Sequence, residues 1–504
     1  MFLLLSILLV LVLVIVYLFY SHYYWPYKIQ AKKFSCITGP APEFVFGNLR
    51  QVLKGEYAPK VYEEWHKKYS QTYLMYFGIM PVIITQDTRV IKDVLVKHFD
   101  IFSDRTQSSC NILKFLLKYN KSLPTIGGEK WKQMRRMISP NFTGKKLRDL
   151  AMTMDKSCDN LKEAMVKASS KADSIDVTEH FNAFSIEFIL CTVLGRQCNL
   201  QNGSNELSNV IVETLQKTFG NLYGQEKVFA FLSHFPMLAP VVKQFVSTSS
   251  LARQWDPLQD VAAKIVKERK ETKTQSRKDL LQFLVDAEDD STKDGTNKLT
   301  EEEIIATTLV IVLSGVLHHF TYTAYLLALH PNVQDKLITE INSYFDANPD
   351  ATLYDAAENI EYAEMMLREV FRLYPGINML ARMCSKTCTV SNGIVIPKDT
   401  VVYIPIHNLH HNPDYWPDPE KFDPERFGRN PEVPYDPFAF VPFGEGPRMC
   451  PGKRLAHIKI KMAIINLLKD YKFVRAVDTE VPLEVENHFQ VCPLRHLQLA
   501  ITKI

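Results

Sequence analysis

The sequence predicts a mainly α-helical fold with a small β region, preceded by one membrane-spanning helix. Three patterns predict it: an uncharged apolar run at residues 2–20, helical periodicity over most of 88–380, and strand-like residues at 71–87 and 386–406. The 504 residues carry a formal net charge of +3 and are 46% hydrophobic. This balance excludes a disordered or fibrous protein and gives no reason to expect a nucleic acid partner.

The N-terminal run is long enough to cross a bilayer, since at about 1.5 Å per residue it spans roughly 28 Å. It is followed by an aromatic belt and then by positive charge, at Tyr20, Tyr23, Tyr24, Trp25, Lys28, Lys32 and Lys33. Positive charge after the segment predicts a cytoplasmic location for the rest of the chain. A cleaved signal peptide would be shorter, with a basic stretch before it and small residues at its end. We expect an anchor at 1–22, a linker at 23–45 and one globular domain at 46–504.

Within the globular part, we expect a strand hairpin at 71–87, a long apolar helix near 300–329 and an amphipathic helix near 354–374. Residues 407–449 are irregular and rich in proline and aromatic residues, and the last helix begins near Gly452. An irregular stretch of this length inside a compact domain usually marks a functional site. The nine cysteines are scattered without C-x-x-C spacing. They argue against a disulfide scaffold and a zinc module, and fit a reducing compartment.

The irregular stretch ends in Phe443-Gly444-Glu445-Gly446-Pro447-Arg448-Met449-Cys450-Pro451-Gly452, which we call the ligand loop. Its glycines and prolines predict a tight turn, with Cys450 just before a helix N-terminus. Backbone amides and the helix dipole at that position favour a thiolate. Gly446 and Gly452 allow the backbone to approach a flat, bulky group. A lone cysteine in a turn is otherwise most often a buried structural residue.

The loop resembles the heme-binding motif F-x-x-G-x-R-x-C-x-G of the cytochrome P-450 family, and three further motifs follow the order of that family. The sequence has Trp131-Lys132-Gln133-Met134-Arg135 for W-x-x-x-R, Glu369-Val370-Phe371-Arg372 for E-x-x-R, and Pro424-Glu425-Arg426-Phe427 for the later arginine motif. With the predicted anchor, the resemblance covers essentially the whole chain and is to the microsomal animal type. It implies the mostly helical cytochrome P-450 fold, with residues 46–504 as one heme-thiolate catalytic domain.

The resemblance also implies roles for individual residues. Cys450 would be the axial thiolate ligand of the iron in heme b, a ligand that favours O–O cleavage. The positions that match the heme-binding residues of the family are Trp131, Arg135, Arg382, Phe443, Arg448, Cys450 and Gly452, and the arginines among them suit the heme propionates. Glu369, Arg372 and Arg426 match a buried ion-pair triad with a structural role.

The central helix departs from the family, in which a small residue and glycine precede an acid–alcohol pair that relays protons. Counting forward from Leu299-Thr300 aligns Ser314-Gly315 with the small pair, and puts Leu317 and His318 in place of the acid and the alcohol. Counting back from Leu329-His330-Pro331 puts the motif about three residues earlier, which implies a deletion of roughly one turn. The acid–alcohol pair is absent either way. His318 could relay protons, since imidazole titrates near neutral pH. Substrate or ordered water could supply them instead, or His318 or His319 could bind the iron.

The function implied by the resemblance is oxidation of a lipophilic small molecule with O2 and electrons from NADPH, at the endoplasmic reticulum membrane. The missing pair keeps two alternatives open: a heme-thiolate isomerase or dehydratase of a peroxide, and a heme protein with little turnover. The implied electron donors are NADPH–cytochrome P-450 reductase and, as a further candidate, cytochrome b5. Seven basic residues form the expected docking patch: Lys130, Lys132, Arg136, Lys453, Arg454, Lys459 and Lys461. A merely solvated helical face is the alternative for these residues.

Overall fold

The computed structural model describes residues 32–34, 36–43, 46–54, 58–78, 80–105, 121–195, 199–201, 203, 253, 256–272, 279–289, 299–314, 319–487, 491–493 and 496–504, with scattered positions between 9 and 20. The predicted anchor lies largely outside these ranges and stays a prediction. Within the described part, one helix, Val177–Leu194, is long and apolar enough to cross a membrane. Because 78% of it is buried inside the protein, it is a helix of the core.

The fold is mainly helical, as predicted. Its described α-helices are Leu49–Lys54, Ala58–Lys68, Thr88–Lys92, Gly128–Ile138, Gly144–Asp149, Ala151–Ser169, Val177–Leu194, Asp256–Thr272, Leu280–Asp289, Glu301–Ser314, His319–Leu329, Pro331–Ala347, Leu353–Asn359, Glu361–Leu373, Ile406–His410 and Lys453–Leu468. We call Gly128–Ile138 the tryptophan helix, Glu361–Leu373 the E-x-x-R helix and Lys453–Leu468 the last helix. These helices enclose one large apolar core.

The β region consists of short strands at the edge of the helical core. They are β1 (Thr72–Phe77), β2 (Met80–Thr85), β3 (Ile175–Asp176), β4 (Met379–Met383), β5 (Cys388–Thr389), β6 (Val395–Ile396), β7 (Val401–Pro405), β8 (Tyr471–Arg475), β9 (Val485–Asn487), β10 (Val491–Pro493) and β11 (Gln498–Lys503). The largest sheet has the order β1-β2-β7-β4, in which only β2 and β7 run parallel. Its strand β4 carries Arg382 and lies beside the ligand loop, since a Cβ on Gly444 would lie 3.7 Å from Leu380.

The hairpin predicted at 71–87 is confirmed as β1 and β2, with Gly78 in the left-handed region (φ +59°) at its turn. The chain already packs against this sheet before residue 46, the predicted start of the globular domain. Phe34 is buried, and the Leu74 N–H of β1 donates to the carbonyl of Thr38 at 2.9 Å. The second half of the predicted linker therefore lies against the domain.

One predicted helix is wrong in its extent. The amphipathic pattern at 354–374 folds as two helices separated at Ile360, whose backbone is extended (φ −75°, ψ 106°). The second helix is capped from elsewhere in the chain, because the Glu340 carboxylate accepts the Glu361 N–H at 3.0 Å. A cap supplied from 21 residues away leaves no local sequence signal. The strands β8 to β11, after the last helix, were likewise not predicted.

Candidate functional site

The ligand loop is a tight turn held by its own backbone. The Cys450 N–H donates to the carbonyl of Phe443 at 3.0 Å, and the Met449 N–H donates to that of Gly446 at 3.0 Å. Gly444 and Gly446 both have positive φ, at +70° and +73°. A Cβ on Gly446 would lie 2.1 Å from the carbonyl oxygen of Leu95, so only glycine fits there. The predicted tight turn is therefore confirmed, and the close neighbour of Gly446 is the backbone of Leu95.

Cys450 is partly exposed and is not in a disulfide. Burial raises the pKa of its thiol, while the backbone N–H groups of Gly452 and Lys453 and the charges of Arg105 and Arg135 lower it. Burial has the larger effect, and the backbone N–H groups at the helix N-terminus act in the predicted direction, toward the thiolate. A metal ion that coordinates a thiol favours its deprotonated form, so a heme iron held by Cys450 would favour the thiolate.

Two of the predicted propionate ligands, Arg382 and Arg448, are buried side chains. The guanidinium of Arg448 stacks over the ring of Trp131 at 4.3 Å, and it donates to the carbonyl of Ile126 at 3.1 Å and to Asp104 at 3.4 Å. Arg382 is buried and donates to the carbonyl of Ala381 at 2.8 Å. Arg448 therefore joins the ligand loop to the tryptophan helix, and β4 contributes a second buried arginine.

Asp104 and Arg105 belong to the same cluster and were not singled out from the sequence. The carbonyl of Asp104 accepts the N–H of Met383, which joins its loop to β4 beside Arg382. Arg105 raises the positive potential at Cys450 and lowers the pKa of Arg135. Both residues lie in an irregular loop, where neither periodicity nor a motif distinguishes a functional charge from a solvated one.

These residues fit a heme with two propionates. Arg135 is half-buried and makes no ion pair with any described residue, and burial lowers the pKa of its guanidinium while Cys450 raises it. A desolvated arginine of this kind favours an anionic ligand. A Cβ on Gly452 would lie 3.9 Å from the Cys450 sulfur, so this glycine lies directly beside the sulfur. Over the described ranges, no group of three or more His, Cys, Asp and Glu residues could hold a bare metal ion. A porphyrin iron, which needs one axial protein ligand, agrees with this donor set.

The predicted triad is present. Glu369 and Arg372 form a buried ion pair with an Nε–Oε2 distance of 2.8 Å, and Arg426 Nε lies 3.5 Å from Glu369 Oε1. Arg372 also donates to the carbonyl of His410 at 2.8 Å. The triad therefore holds the irregular stretch before the ligand loop against the E-x-x-R helix, which is the structural role expected of it.

The predicted oxygen-activation residues Gly315 and His318 lie outside the described residues. Their neighbour His319 is buried in the core, with its ring 4.4 Å from that of Phe371. A Cβ on Gly376 would lie 3.1 Å from His319 Cε1, so the imidazole is enclosed on that side as well. His319 is thus a core histidine packed on the E-x-x-R helix.

Part of the predicted docking patch is wrong. Lys459 and Lys461 are buried, Lys461 donates to Glu364 at 2.8 Å, and Lys459 lies among three phenylalanine rings. The reason is that residues 457–468 of the last helix are all buried, so these two lysines have no solvated face. Lys132 and Arg136 on the tryptophan helix are exposed.

Comparisons with known proteins agree with this arrangement. The family model for cytochrome P450 matches residues 37–498. The chain is 32% identical to cytochrome P450 3A56 of Fundulus heteroclitus over 483 residues, which cover 95% of this chain and 94% of that protein. It is 31% identical to cytochrome P450 3A9 of Rattus norvegicus over 472 residues, covering 92% and 91%. The chain therefore belongs to the cytochrome P450 family and is a heme-thiolate monooxygenase.

Proposed function

We propose that this chain oxidises a lipophilic small molecule of the steroid, fatty acid, terpenoid or xenobiotic class, at the endoplasmic reticulum membrane, with Cys450 as the axial ligand of heme b. The observation that carries the assignment of Cys450 is its position in a tight loop, where the charges of Arg105 and Arg135 act on its sulfur. Its sulfur also receives the backbone N–H groups of Gly452 and Lys453. A bound heme would supply oxygen activation and electron transfer.

The residues of this chain would bind and orient that group. The propionates would be held by Arg135, Arg382 and Arg448. The ring of Trp131 would hold the guanidinium of Arg448 in place by stacking. The N–H groups of Gly452 and Lys453 would stabilise negative charge on the sulfur. Residues 1–22 would anchor the domain and keep its catalytic part on the cytoplasmic side.

The carbon monoxide difference spectrum of the dithionite-reduced protein in membranes tests the ligand. We expect a strongly red-shifted Soret band for the wild type and for Cys191→Ala, a buried cysteine elsewhere in the core. Cys450→Ser should lose the band. Its persistence in Cys450→Ser would refute the assignment, and its absence from heme-loaded wild type would remove monooxygenation as the leading function.

Electron delivery by a flavoprotein reductase is the second part of the proposal, with cytochrome b5 as a further candidate donor. Arg136 and Lys453 are the basic residues proposed to dock an acidic partner, together with Lys132, which is exposed and pairs with Glu129 on its own helix. Such an interface weakens with salt. Arg136→Glu should slow heme reduction by the reductase at low ionic strength, whereas Lys171→Glu, an exposed lysine before β3, should not. Reduction that is insensitive to both salt and Arg136→Glu would exclude this docking surface.

Proton delivery is assigned to the segment Gly315 to His318, where Gly315 would leave room for dioxygen and His318 would replace the usual alcohol. His318→Ala should lower product formed per NADPH and raise peroxide release. Unchanged coupling would refute a relay through His318. Turnover of a peroxide without reductase would instead favour an isomerase or dehydratase, the alternative raised by the missing acid–alcohol pair. Substrate binding without any turnover would favour a ligand-binding heme protein.

A further inference from the structure

His457 lies on the last helix, and its ring is in a buried aromatic cluster beneath the ligand loop. The side chain lies 5.1 Å from the ring of Phe371, with an interplanar angle of 26°, and 5.3 Å from the ring of Phe443. Phe371 and Phe443 are themselves 4.8 Å apart. The imidazole thus contacts the E-x-x-R helix and the first residue of the ligand loop at once.

The orientation of this ring is fixed by Glu364. The Nδ1 atom of His457 lies 3.0 Å from Glu364 Oε1, and Lys461 donates to the other carboxylate oxygen at 2.8 Å. Burial acts to raise the pKa of Glu364, but the hydrogen bonds and charges of His457 and Lys461 lower it well below its usual range. The carboxylate is therefore ionised and accepts, so Nδ1 carries the hydrogen that it donates.

The other ring nitrogen of His457 has no comparable hydrogen bond to offset its burial. His457 is only 8% exposed, and its Nε2 atom has no hydrogen-bond partner among the residues that the structure describes. A buried polar atom without a partner costs free energy that leucine or phenylalanine would not. Packing alone therefore does not account for a histidine here, and its hydrogen bond to Glu364 is the property that the apolar residues lack.

We propose that His457 is a positioning residue for the ligand loop. Glu364 holds the imidazole, the imidazole holds the ring of Phe443, and the carbonyl of Phe443 accepts the Cys450 N–H at 3.0 Å. The fixed imidazole thereby limits the movement of the sulfur relative to the heme. This inference rests on the proposed role of Cys450 as the iron ligand.

Three variants of the full-length, heme-loaded protein test the chain of contacts. His457→Leu removes the ring, His457→Phe keeps a ring without the hydrogen bond, and Glu364→Gln keeps an acceptor without its charge. Two quantities are measured: the rate at which urea converts the red-shifted carbon monoxide complex to the form without thiolate, and the iron–sulfur stretching band in the resonance Raman spectrum. We expect about fivefold faster conversion and a broadened band for His457→Leu, because ring contacts of this kind are lost. His457→Phe and Glu364→Gln should lie between His457→Leu and the wild type.

Asn466→Ala is the matched control, because Asn466 lies on the same helix and its side chain donates to Asp159, away from the loop. It should lower the melting temperature without changing the Raman band. Three results would each overturn the inference. The Raman band of Asn466→Ala could change as much as that of His457→Leu, or His457→Leu could keep the wild-type rate and band. The third is a conversion rate and band in His457→Phe that are no nearer to the wild type than those of His457→Leu. A heme-loaded wild type that lacks the red-shifted band would instead overturn the proposed ligand itself.

Discussion

Glu369 and Arg372 form a bidentate ion pair inside the core. Arg372 donates from Nε and from Nη2 to the two carboxylate oxygens, each at 2.8 Å, and both side chains are fully buried. The Asp423 N–H donates to the same carboxylate at 3.0 Å. The pair therefore links one turn of a helix to the irregular stretch that leads to the ligand loop.

Removal of Arg372 should prevent folding or heme incorporation. Arg372→Ala leaves the Glu369 carboxylate buried without its main partner, at a cost of about 3–5 kcal/mol. Heme content and protein yield in membranes measure the outcome. Arg429→Ala is the control, because Arg429 pairs with Glu361 at the surface, where a salt bridge contributes only about 0–1 kcal/mol. A full yield of heme-loaded Arg372→Ala would show that the triad is dispensable.

Lys459 should make the stability of the protein depend on pH. Burial lowers the pKa of this lysine to about 7 in the folded protein, against an ordinary value of 10.5, although Cys158 opposes the shift. Between these values the unfolded chain binds more protons, so the free energy of unfolding rises with pH. Relative to Lys459→Met, the wild type should gain about 2 kcal/mol between pH 7 and 9.

Thermal unfolding of both proteins across that range measures the effect. Lys469→Met serves as control, because Lys469 is exposed and lies 4.0 Å over the single ring of Phe345. Parallel pH profiles for the wild type and Lys459→Met would contradict the expectation.

Asp155 should have the opposite pH dependence at lower pH. Burial, and then the nearby Asp159 and Asp355, raise the pKa of its carboxyl to about 6. Because the folded state holds this proton more tightly, the contribution to stability is complete below pH 3.8 and is lost as the pH rises through about 6. Asp155→Asn should therefore raise the melting temperature at pH 7.5 more than at pH 5. The exposed Asp149→Asn should show no such difference between the two pH values.

Gly446 should not tolerate a side chain. Gly446→Ala places a Cβ 2.1 Å from the Leu95 carbonyl oxygen, so the ligand loop has to move and heme content should fall several-fold. Gly393→Ala is the control that distinguishes the steric clash with Leu95 from backbone strain. Gly393 also has positive φ (+81°), but a Cβ there meets nothing within 4 Å, so only the strain of about 1–2 kcal/mol applies. Equal heme content in the two variants would show that the contact with Leu95 does not matter.

The features of this protein that depend on local chemistry could be predicted from the amino-acid sequence. The hairpin at β1 and β2 follows from β-branched residues and Gly78, and the ligand loop follows from glycines that permit positive φ. The motifs predicted the triad of Glu369, Arg372 and Arg426. Helical spacing places Glu369 three residues before Arg372, and the motif with Arg426 follows in the order found in the family. These features need no knowledge of distant neighbours.

Only the tertiary structure decided which charges are solvated and which are buried. Lys459 and Lys461 look like surface lysines in the sequence, yet both are buried and one of them lies among phenylalanines. The break at Ile360 depends on a cap from Glu340, and the cluster at Cys450 depends on Arg105 from a distant loop. The physical reason is common to all of these, because burial and Coulomb interactions act through space between residues far apart in the chain.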